Sequence, residues 1–431
     1  MTNFFSKKSN SRFTRLLEWG RLLLLTGSAQ LLIQCLSFAS GILVIRLLPI
    51  QEYAIYTLAN TMLGTIALLA DGGVATGAMS IGGKVWQDPS RLGRVMATAM
   101  QLRRKFVRYA LLCVLPILYY LLNQHGASPL MIICVIVTLL PAIVASITGE
   151  ILEVAPSLNQ DVKALQKLQI INSGARLLFT SAFLFAFPFA ALAILVPGIC
   201  QYWKNLQLRR VAAKYADSDA EEDPEVRSEM ISIVRRILPM SLYFSISSQL
   251  TIWLIGIFGD VESIAQIGAL SRLAMVLTII TSIYGALIVP RFARLPDDRT
   301  LLTQRFILIQ VGFTLIASVI MLLVYLFPEQ LLYILGANYE DLTKEVVLIC
   351  AGSLLAMISA ALYSLNSSRA YVLHPGVHIP FNLLVLVLSI VIFPPTSTLN
   401  ALYINLMRAV FGPLIQNLIF FRYSRLKLSH Q

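Results

Sequence analysis

The chain consists of apolar runs of membrane-spanning length that follow one another almost without interruption. A helix of about 20 apolar residues crosses the hydrocarbon core of a bilayer. Only helices and closed barrels satisfy all their backbone polar groups inside that core. Charged residues make up only 13% of the chain, about half the share found in a typical soluble domain. The sequence therefore predicts an all-α, polytopic integral membrane protein.

Twelve spans are predicted, and a hydrophilic stretch separates the sixth span from the seventh. They lie at 22–45, 53–70, 106–122, 130–148, 168–186, 189–203, 237–258, 264–289, 306–327, 346–363, 378–393 and 399–421. The first apolar run is longer than the apolar part of a cleaved signal peptide, so it is interpreted as an uncleaved span.

The cationic residues predict how these spans are oriented. Arg46 and Lys344 are the cationic residues of the predicted outside loops, and three arginines fall inside spans. The other 29 of the 34 lysines and arginines then lie in the inside segments. Short cytoplasmic loops carry an excess of lysine and arginine. Both termini are therefore predicted to be cytoplasmic, and topology explains the net charge of +12 better than nucleic-acid binding does.

The hydrophilic stretch predicts three parts: an N-terminal six-helix lobe over 1–203, a charged cytoplasmic linker over 204–236 and a C-terminal six-helix lobe over 237–431. Seven acidic residues between positions 217 and 229 are typical of a solvated, partly disordered connector. Each half begins with a hairpin of two spans. Because each half has an even number of spans, both halves have the same orientation and form a parallel pseudo-repeat.

Three arginines inside predicted spans, Arg176, Arg272 and Arg408, are candidates for binding an anionic substrate. Each lies some eight or nine residues from a span end, which is roughly 12–14 Å deep at 1.5 Å per residue. A charge at mid-span costs about 2.5–3.5 kcal/mol, and no matching set of embedded carboxylates accompanies them. Asp71 is the nearest one. Either the arginines extend to the interface or bond backbone carbonyls, or they line a wet, cationic cavity, which is the interpretation favoured here.

Polar side chains recur at helical spacing on the first, seventh and twelfth spans. Small and polar residues also join transmembrane helices to one another. The first and seventh spans hold equivalent places in the two halves, and this equivalence favours cavity lining. The candidate lining residues from these stripes are Gln30, Gln34, Ser245, Gln249 and Asn405.

The sequence predicts no catalytic residues, no metal site and no cofactor. It contains no G-x-x-x-x-G-K-[ST], G-x-S-x-G or H-E-x-x-H segment, so the chemistry of those motifs is not expected. The five cysteines and four histidines are scattered along the chain, which predicts neither disulfides nor metal ligands. The predicted outer loops are too short for a catalytic domain. The chain is therefore predicted to be a transporter rather than an enzyme.

Short motifs in both halves resemble one family of membrane transporters. The motifs of the first half are Arg46-Leu47-Leu48, then Pro49, Glu52, Tyr53 and Tyr56, and finally Asp71-Gly72-Gly73. The motifs of the second half are Ile267-Gly268-Ala269, Arg272-Leu273, Val289-Pro290-Arg291 and Leu335-Gly336-Ala337-Asn338-Tyr339. In their order and spacing they resemble Wzx-type polysaccharide flippases (O-antigen transporters) of the multidrug, oligosaccharidyl-lipid and polysaccharide exporter (MOP) superfamily. Ala54 stands where that family usually has glycine.

The resemblance implies two six-helix lobes around a central cavity that works by alternating access. The implied cargo is a polyprenyl-diphosphate-linked oligosaccharide, flipped across the bacterial inner membrane for O-antigen, capsule or exopolysaccharide synthesis. The implied partners are this lipid-linked oligosaccharide, membrane lipids and other polysaccharide assembly proteins. Because arginine pairs well with phosphate, the resemblance extends the candidate binding residues from Arg176, Arg272 and Arg408 to Arg46.

Two other functions remain as alternatives. A multidrug exporter of the same superfamily would move cationic drugs against Na⁺ or H⁺, and it would need embedded carboxylates that this chain largely lacks. A membrane-embedded glycan polymerase or ligase would need catalytic groups on the outer face. The short outer loops, without clustered acids or histidines, argue against such an enzyme.

Overall fold

The computed structural model describes residues 12–293, 295–296, 298–369, 371 and 375–426, and most side chains from residue 27 onward. From residue 12 onward, the described part of the first half contains seven helices. They are α1 (Arg12–Leu47), α2 (Ile50–Asp71), α3 (Val74–Val85), α4 (Pro89–Gln124), α5 (Pro129–Leu158), α6 (Val162–Ala186) and α7 (Ala190–Ala212).

The second half contains nine α-helices within the described ranges, and a 3₁₀ turn at Ala337–Tyr339. The helices are α8 (Pro224–Phe258), α9 (Val261–Met275), α10 (Leu277–Leu287), α11 (Val289–Ala293), α12 (Arg299–Leu326), α13 (Pro328–Leu335), α14 (Thr343–Ser368), α15 (Pro375–Ile392) and α16 (Thr398–Leu426). Every predicted span lies on these helices. The span predicted at 264–289 is divided at Val276 into α9 and α10.

Nine helices in the described part of the chain are long and apolar enough to cross a membrane. The other three predicted spans lie on α7, α8 and α15. Among the residues whose side chains are described, α8 contributes the apolar segment Gln249–Phe258 and α15 the segment Gly376–Ile392. All three spans are helical, as predicted.

Acidic side chains set where several helices begin. Asp88, Asp223 and Asp298 each accept hydrogen bonds from the amides of the first turn of α4, α8 and α12, a common N-cap arrangement. Asp260 does the same for α9, accepting from the Ser263 amide at 2.8 Å. Hydrogen bonds from the hydroxyl and the amide of Ser263 lower the pKa of Asp260, because they stabilise the ionised carboxylate.

Lysine and arginine concentrate at one end of the bundle, which we call the basic end. It contains the connections at 71–74, 85–89, 158–162, 212–224, 287–299 and 368–375. The opposite end contains the connections at 47–50, 124–129, 186–190, 258–261, 326–343 and 392–398. Since basic loops mark the cytoplasmic side, the predicted orientation places the basic end in the cytoplasm.

The two halves repeat a packing arrangement. In the first half the most extensive helix pair is α5 with α7, and in the second half it is α14 with α16. These pairs join the fourth and sixth predicted spans of each half. Across the halves, α2 packs on α9 so closely that a Cβ at Gly268 would lie 2.5 Å from Thr57 Oγ1. The halves therefore meet through small residues, as membrane helices commonly do.

The segment predicted as a partly disordered linker is mostly helical. α7 continues to Ala212 and α8 begins at Pro224, so only residues 213–223 connect them. The first turns of α8 bury Met230 and Val234 in a core shared with α3, α4 and α5. Acidic residues at the start of α8 also pair with the first half, since Glu229 lies 2.7 Å from Lys84 Nζ. The connector is ordered because its helical part has an apolar face that the first half covers.

Candidate functional site

A central cavity of about 490 Å³ lies between α1, α2, α5, α6, α7 and α9. Its polar lining consists of Ser37, Tyr56, Asn60, Ser146, Glu150, Glu153, Asn172, Arg176, Gln201, Lys204 and Arg272. The apolar part of the wall comes mainly from small residues of α5 and α7, such as Ala142, Gly149 and Gly198. Small residues let the two helices approach closely while they leave room on the cavity side.

Arg176 and Arg272 lie at the same depth in this cavity. Arg176 is ten residues before the end of α6 at Ala186, and Arg272 is eleven residues after the start of α9 at Val261. At 1.5 Å per residue, both are roughly 15–17 Å from the opposite end. Arg272 Nη2 donates to the Tyr56 hydroxyl at 3.3 Å. Among the described residues neither arginine forms an ion pair, so both charges are available to a bound anion.

Carboxylates and cations alternate at the mouth of the cavity. Arg103 is buried and forms ion pairs with Asp71 at 2.9 Å and with Glu150. Its Nη1 also donates to the carbonyl oxygens of two residues of α5. Lys204 pairs with Glu153 at 3.0 Å. Two cations are thus paired with three carboxylates here. Asp71, the carboxylate that the sequence placed nearest the embedded arginines, pairs with Arg103 instead.

Glu150 and Glu153 were not predicted as cavity residues, because the fourth span was predicted to end at 148. α5 continues to Leu158, and the spacing of three residues places both carboxylates on one face of the helix. The sequence contains no clear signal for this continuation, because Gly149 and Pro156 are residues that commonly end helices and α5 includes both. Lys204 was missed for the same reason, because the sixth span was predicted to end at 203.

The cavity opens at the basic end and is closed at the opposite end. The Glu150 side chain at its mouth is 63% exposed, whereas Tyr53 and Tyr56 of α2 are buried at its closed side. Tyr53 contacts Tyr339 of the second half edge-to-face, with ring centroids 6.5 Å apart. The aromatic contact joins the two halves beyond the arginines and separates the cavity from the opposite end.

Arg46 lies at this closed end and not among the cavity-lining residues. Its Nε donates to the Ile334 carbonyl at 3.0 Å and its Nη2 donates to the Tyr333 carbonyl at 2.5 Å. The guanidinium also lies over the Tyr333 ring, 5.6 Å from the centroid. Both carbonyls end helix α13, where the helix dipole favours a cation. Arg46 therefore joins α1 of the first half to α13 of the second.

The remaining predicted residues are dispersed. Gln30 and Gln34 are half-buried on α1 and line neither the central cavity nor the side pocket named below. Gln249 reaches α2, where a Cβ at Gly64 would lie 3.3 Å from its Nε2. Asn405 faces α14 in the second half. The side chain of Ser245 lies outside the described residues.

Arg408 lies in a separate, smaller cavity. This side pocket, of about 240 Å³, lies between α8, α15 and α16. Arg408 Nη2 donates to the Ser247 hydroxyl at 2.8 Å. The structure thus brings two of the predicted arginines together, Arg176 and Arg272, and places Arg408 in the side pocket and Arg46 at the closed end.

Solved structures of transporters match the chain along almost its whole length. An inward-facing multidrug resistance MATE family transporter of the MOP superfamily aligns with a TM-score of 0.66 and 16% identity, over 92% of this chain and 95% of that one. An outward-facing MATE family transporter gives 0.57 and 14%, over 94% and 96%. A MOP superfamily transporter from Pyrococcus furiosus, for which reverse polarity of the binding pocket suggests a different function, gives 0.53 and 16%, over 95% of each chain. No protein-family model matches the sequence, and no curated protein does.

The chain has the fold of these MOP superfamily transporters. That fold has twelve transmembrane helices in two lobes, so the predicted all-α, polytopic, two-lobed architecture is confirmed. The inward-facing structure gives a higher TM-score than the outward-facing one. At identities of 14–19%, the comparison establishes the fold and leaves the cargo to the chemistry of the cavity.

Proposed function

We propose that the chain is a multi-pass inner-membrane transporter that flips a polyprenyl-diphosphate-linked oligosaccharide by alternating access, with both termini cytoplasmic. The pair of arginines in one cavity carries this proposal. Arg176 and Arg272 share a depth and a cavity, and the described residues give neither an ion pair. Two desolvated like charges are unfavourable unless an anion compensates them.

The chemistry of arginine favours phosphate as that anion. Its planar guanidinium donates parallel hydrogen bonds to two phosphate oxygens, and a diphosphate offers enough oxygens for two such contacts. The hydroxyl of Tyr56 accepts from Arg272 and restrains its side chain without neutralising the charge. Both guanidinium groups would therefore be positioned to bind a diphosphate. They lie at a depth that the head group of a flipped lipid must pass.

Neutral polar groups beside the arginines in the cavity wall would suit a sugar. Asn172 Nδ2 donates to Gln201 Oε1 at 3.1 Å, and Asn60 contributes a third amide to the lining. Asn172 Oδ1 is buried without a partner, and such an acceptor is costly unless a donor reaches it. Sugar hydroxyls supply donors of this kind. The sugar would thus lie beside the diphosphate in the same cavity.

A multidrug exporter is the second candidate, and the comparisons favour it. The structures that match with the highest TM-scores among those above are described as multidrug resistance transporters. Glu150 and Glu153 also line the cavity and could attract a cationic drug. However, each of these carboxylates forms an ion pair with a cation of the protein, and the two deep side chains are cationic.

Reconstituted vesicles can separate the two candidates. The purified chain would be assayed with a fluorescent isoprenyl-diphosphate-linked sugar and, separately, with a cationic dye. We expect flipping of the anionic lipid and loss of most of that activity in Arg176→Ala and Arg272→Ala, because each variant removes one of two phosphate contacts. Arg176→Lys should keep part of the activity, since lysine keeps the charge but not the bidentate geometry. Arg91→Ala is the matched control, because Arg91 pairs with Asp88 at the surface of the basic end.

Dye transport that survives both arginine substitutions, without flipping of the anionic lipid, would establish the multidrug function instead. In cells, the side of the membrane on which the lipid-linked oligosaccharide accumulates would be measured in a strain that lacks the chain. Accumulation on the cytoplasmic side, with loss of surface glycan, is expected for a lost flipping step. A polymerase or ligase would instead leave single units on the outer surface.

A further inference from the structure

The side pocket contains an isolated cation in an apolar setting. Arg408 shares its walls with Ile246 and Leu250 of α8 and with Leu383 and Leu386 of α15. The guanidinium donates to the uncharged hydroxyl of Ser247 at 2.8 Å and also hydrogen-bonds the uncharged side chain of Tyr243 in the pocket wall. No ion pair to Arg408 exists within the ranges that the structure describes. An apolar pocket with one accessible cation matches a hydrocarbon chain that ends in an anion.

The pocket faces the surface that lipid would cover. Ile246 and Leu383 in its walls are 44% and 48% exposed. The neighbouring outer face of α15 carries Leu384 and Val387, both more than half exposed. α15 packs only on α8 and α16 to an appreciable extent. A chain in the bilayer could therefore enter the pocket sideways, without passing through the central cavity.

The depth of Arg408 identifies which phosphate could reach it. Arg408 lies ten residues after the start of α16 at Thr398, roughly 15 Å from the opposite end. This is the depth of Arg176 and Arg272. The head groups of ordinary lipids lie outside a hydrocarbon core about 30 Å thick, so they do not reach this level. The phosphate of a lipid in the course of being flipped does pass it.

The pocket also extends in the direction that the chain of such a lipid would take. α8 runs from the basic end to the opposite end, and its pocket residues extend from Leu250 back to Pro239. From Ser247 to Pro239 the pocket follows eight residues toward the basic end, roughly 12 Å of helix. A lipid with its phosphate at this depth could place the phosphate beside Arg408. Its chain would then follow this wall toward the leaflet at the basic end.

We propose that the side pocket between α8, α15 and α16 holds the first isoprenoid units of the cargo, with Arg408 bound to the adjoining phosphate. This inference rests on the proposed function and adds a second subsite to it. The diphosphate would contact Arg176 and Arg272 from the central cavity, while Arg408 and the apolar wall hold the chain. The pocket would then select for a hydrocarbon chain bearing phosphate, whatever sugar follows.

Photolabelling of the full chain in lipid nanodiscs tests the subsite. The probe is an isoprenyl diphosphate that carries a diazirine near its phosphate end and no sugar, and labelled positions are mapped by mass spectrometry. We expect labels on the pocket faces of α8 and α15, with competition by unlabelled isoprenyl diphosphate and none by isoprenol or phosphatidylglycerol. Arg408→Ala should lower labelling of the pocket about tenfold, as expected for the loss of a charge-assisted phosphate contact.

A second variant blocks the pocket without removing its charge. Leu383→Trp fills the apolar wall and should abolish pocket labelling, whereas Leu388→Trp, on the 49% exposed outer face of the same helix, should not. Both proteins must unfold at the temperature of the unsubstituted chain. The pair controls for the introduction of tryptophan into α15.

The outcomes distinguish this inference from the proposed function. Diphosphate-competed labels in the central cavity alone, unchanged by Leu383→Trp, would overturn the side-pocket subsite and leave the proposed function intact. Absence of any diphosphate-competed label would count against both. Equal competition by phosphatidylglycerol would show that the pocket holds an ordinary anionic lipid, and it would overturn the assignment to the cargo.

Discussion

Replacement of Arg46 by alanine should open the end of the protein that is closed in this structure. Arg46 donates hydrogen bonds to the carbonyl oxygens of Ile334 and Tyr333 and lies over the Tyr333 ring. These contacts join the two halves only in the closed arrangement, because α1 and α13 belong to different halves. Gly336 permits the approach, since its φ of +109° is unfavourable for other residues and a Cβ there would lie 3.4 Å from Arg46 Cγ.

The size of the effect follows from those contacts. A hydrogen bond contributes about 0.5–1.5 kcal/mol net, and the value is at the low end here because Arg46 is exposed and solvent screens it. Two bonds then stabilise the closed end by about 1–2 kcal/mol, which is a factor of about 5–30 in the ratio of closed to open molecules. Arg46→Lys should retain part of this, since lysine can reach one carbonyl but lacks the fork of donors.

Spin labels at Gln51 on α2 and Gln330 on α13, in a cysteine-free background, would report the distance across the closed end. Both positions are exposed. We expect the long-distance population to grow in Arg46→Ala by the factor above and to grow less in Arg46→Lys. Arg91→Ala, which removes an exposed ion pair at the basic end, controls for the loss of a surface arginine. An unchanged distance distribution in Arg46→Ala would refute the proposed role of these bonds.

Three further predictions concern an ion pair, the helix packing and a helix end. Arg103→Met should destabilise the protein by about 1–3 kcal/mol, since it leaves the partly buried carboxylate of Asp71 unpaired, and unfolding in denaturant would measure this. Gly268→Ala should cost about 1–3 kcal/mol because its methyl group would overlap Thr57, whereas Gly174→Ala, with no atom within 4 Å of the new Cβ, should be neutral or slightly stabilising; equal effects would contradict the packing argument. The lowered pKa of Asp260 means that its contribution is present at neutral pH and is lost as pH falls below about 4, its usual value. Asp260→Asn, which keeps an N-cap, should remove this part of the pH dependence of unfolding.

The spans could be predicted from the sequence because each is an apolar run of the length that a bilayer requires. Their ends could not, since helices continue beyond the membrane wherever another surface covers them. α5 and α7 extend past their predicted ends and carry Glu150, Glu153 and Lys204 into the wall of the cavity. The thickness of the membrane sets the length of the apolar run, but it does not set the length of the helix that contains the run.

The candidate site was predictable in part. Arg176 and Arg272 stand out in sequence because a charge within an apolar run is rare, and the structure places both in one cavity. Arg103 does not stand out, since Arg104 and other cations surround it in the sequence, yet the Arg103 side chain is only 2% exposed. Its burial depends on the rotation of α4 against α5, which one sequence does not reveal. Likewise, the partners of Arg46 lie 287 and 288 positions away.

The helix that opens the second half also completes the first. α8 contacts α2, α3 and α4 as well as α9, α15 and α16, and its initial turns bury Met230 and Val234 against the first half. The sequence repeat therefore changes from the first half to the second before α8, whereas the packed core of the first half includes the start of α8. A fragment that ends at residue 203 would leave an apolar surface uncovered at the aqueous end of the bundle, where it favours aggregation. During synthesis the core of the first half therefore remains incomplete until the beginning of α8 has emerged. The two halves are thus interdependent in folding, because one helix contributes to the packing of both.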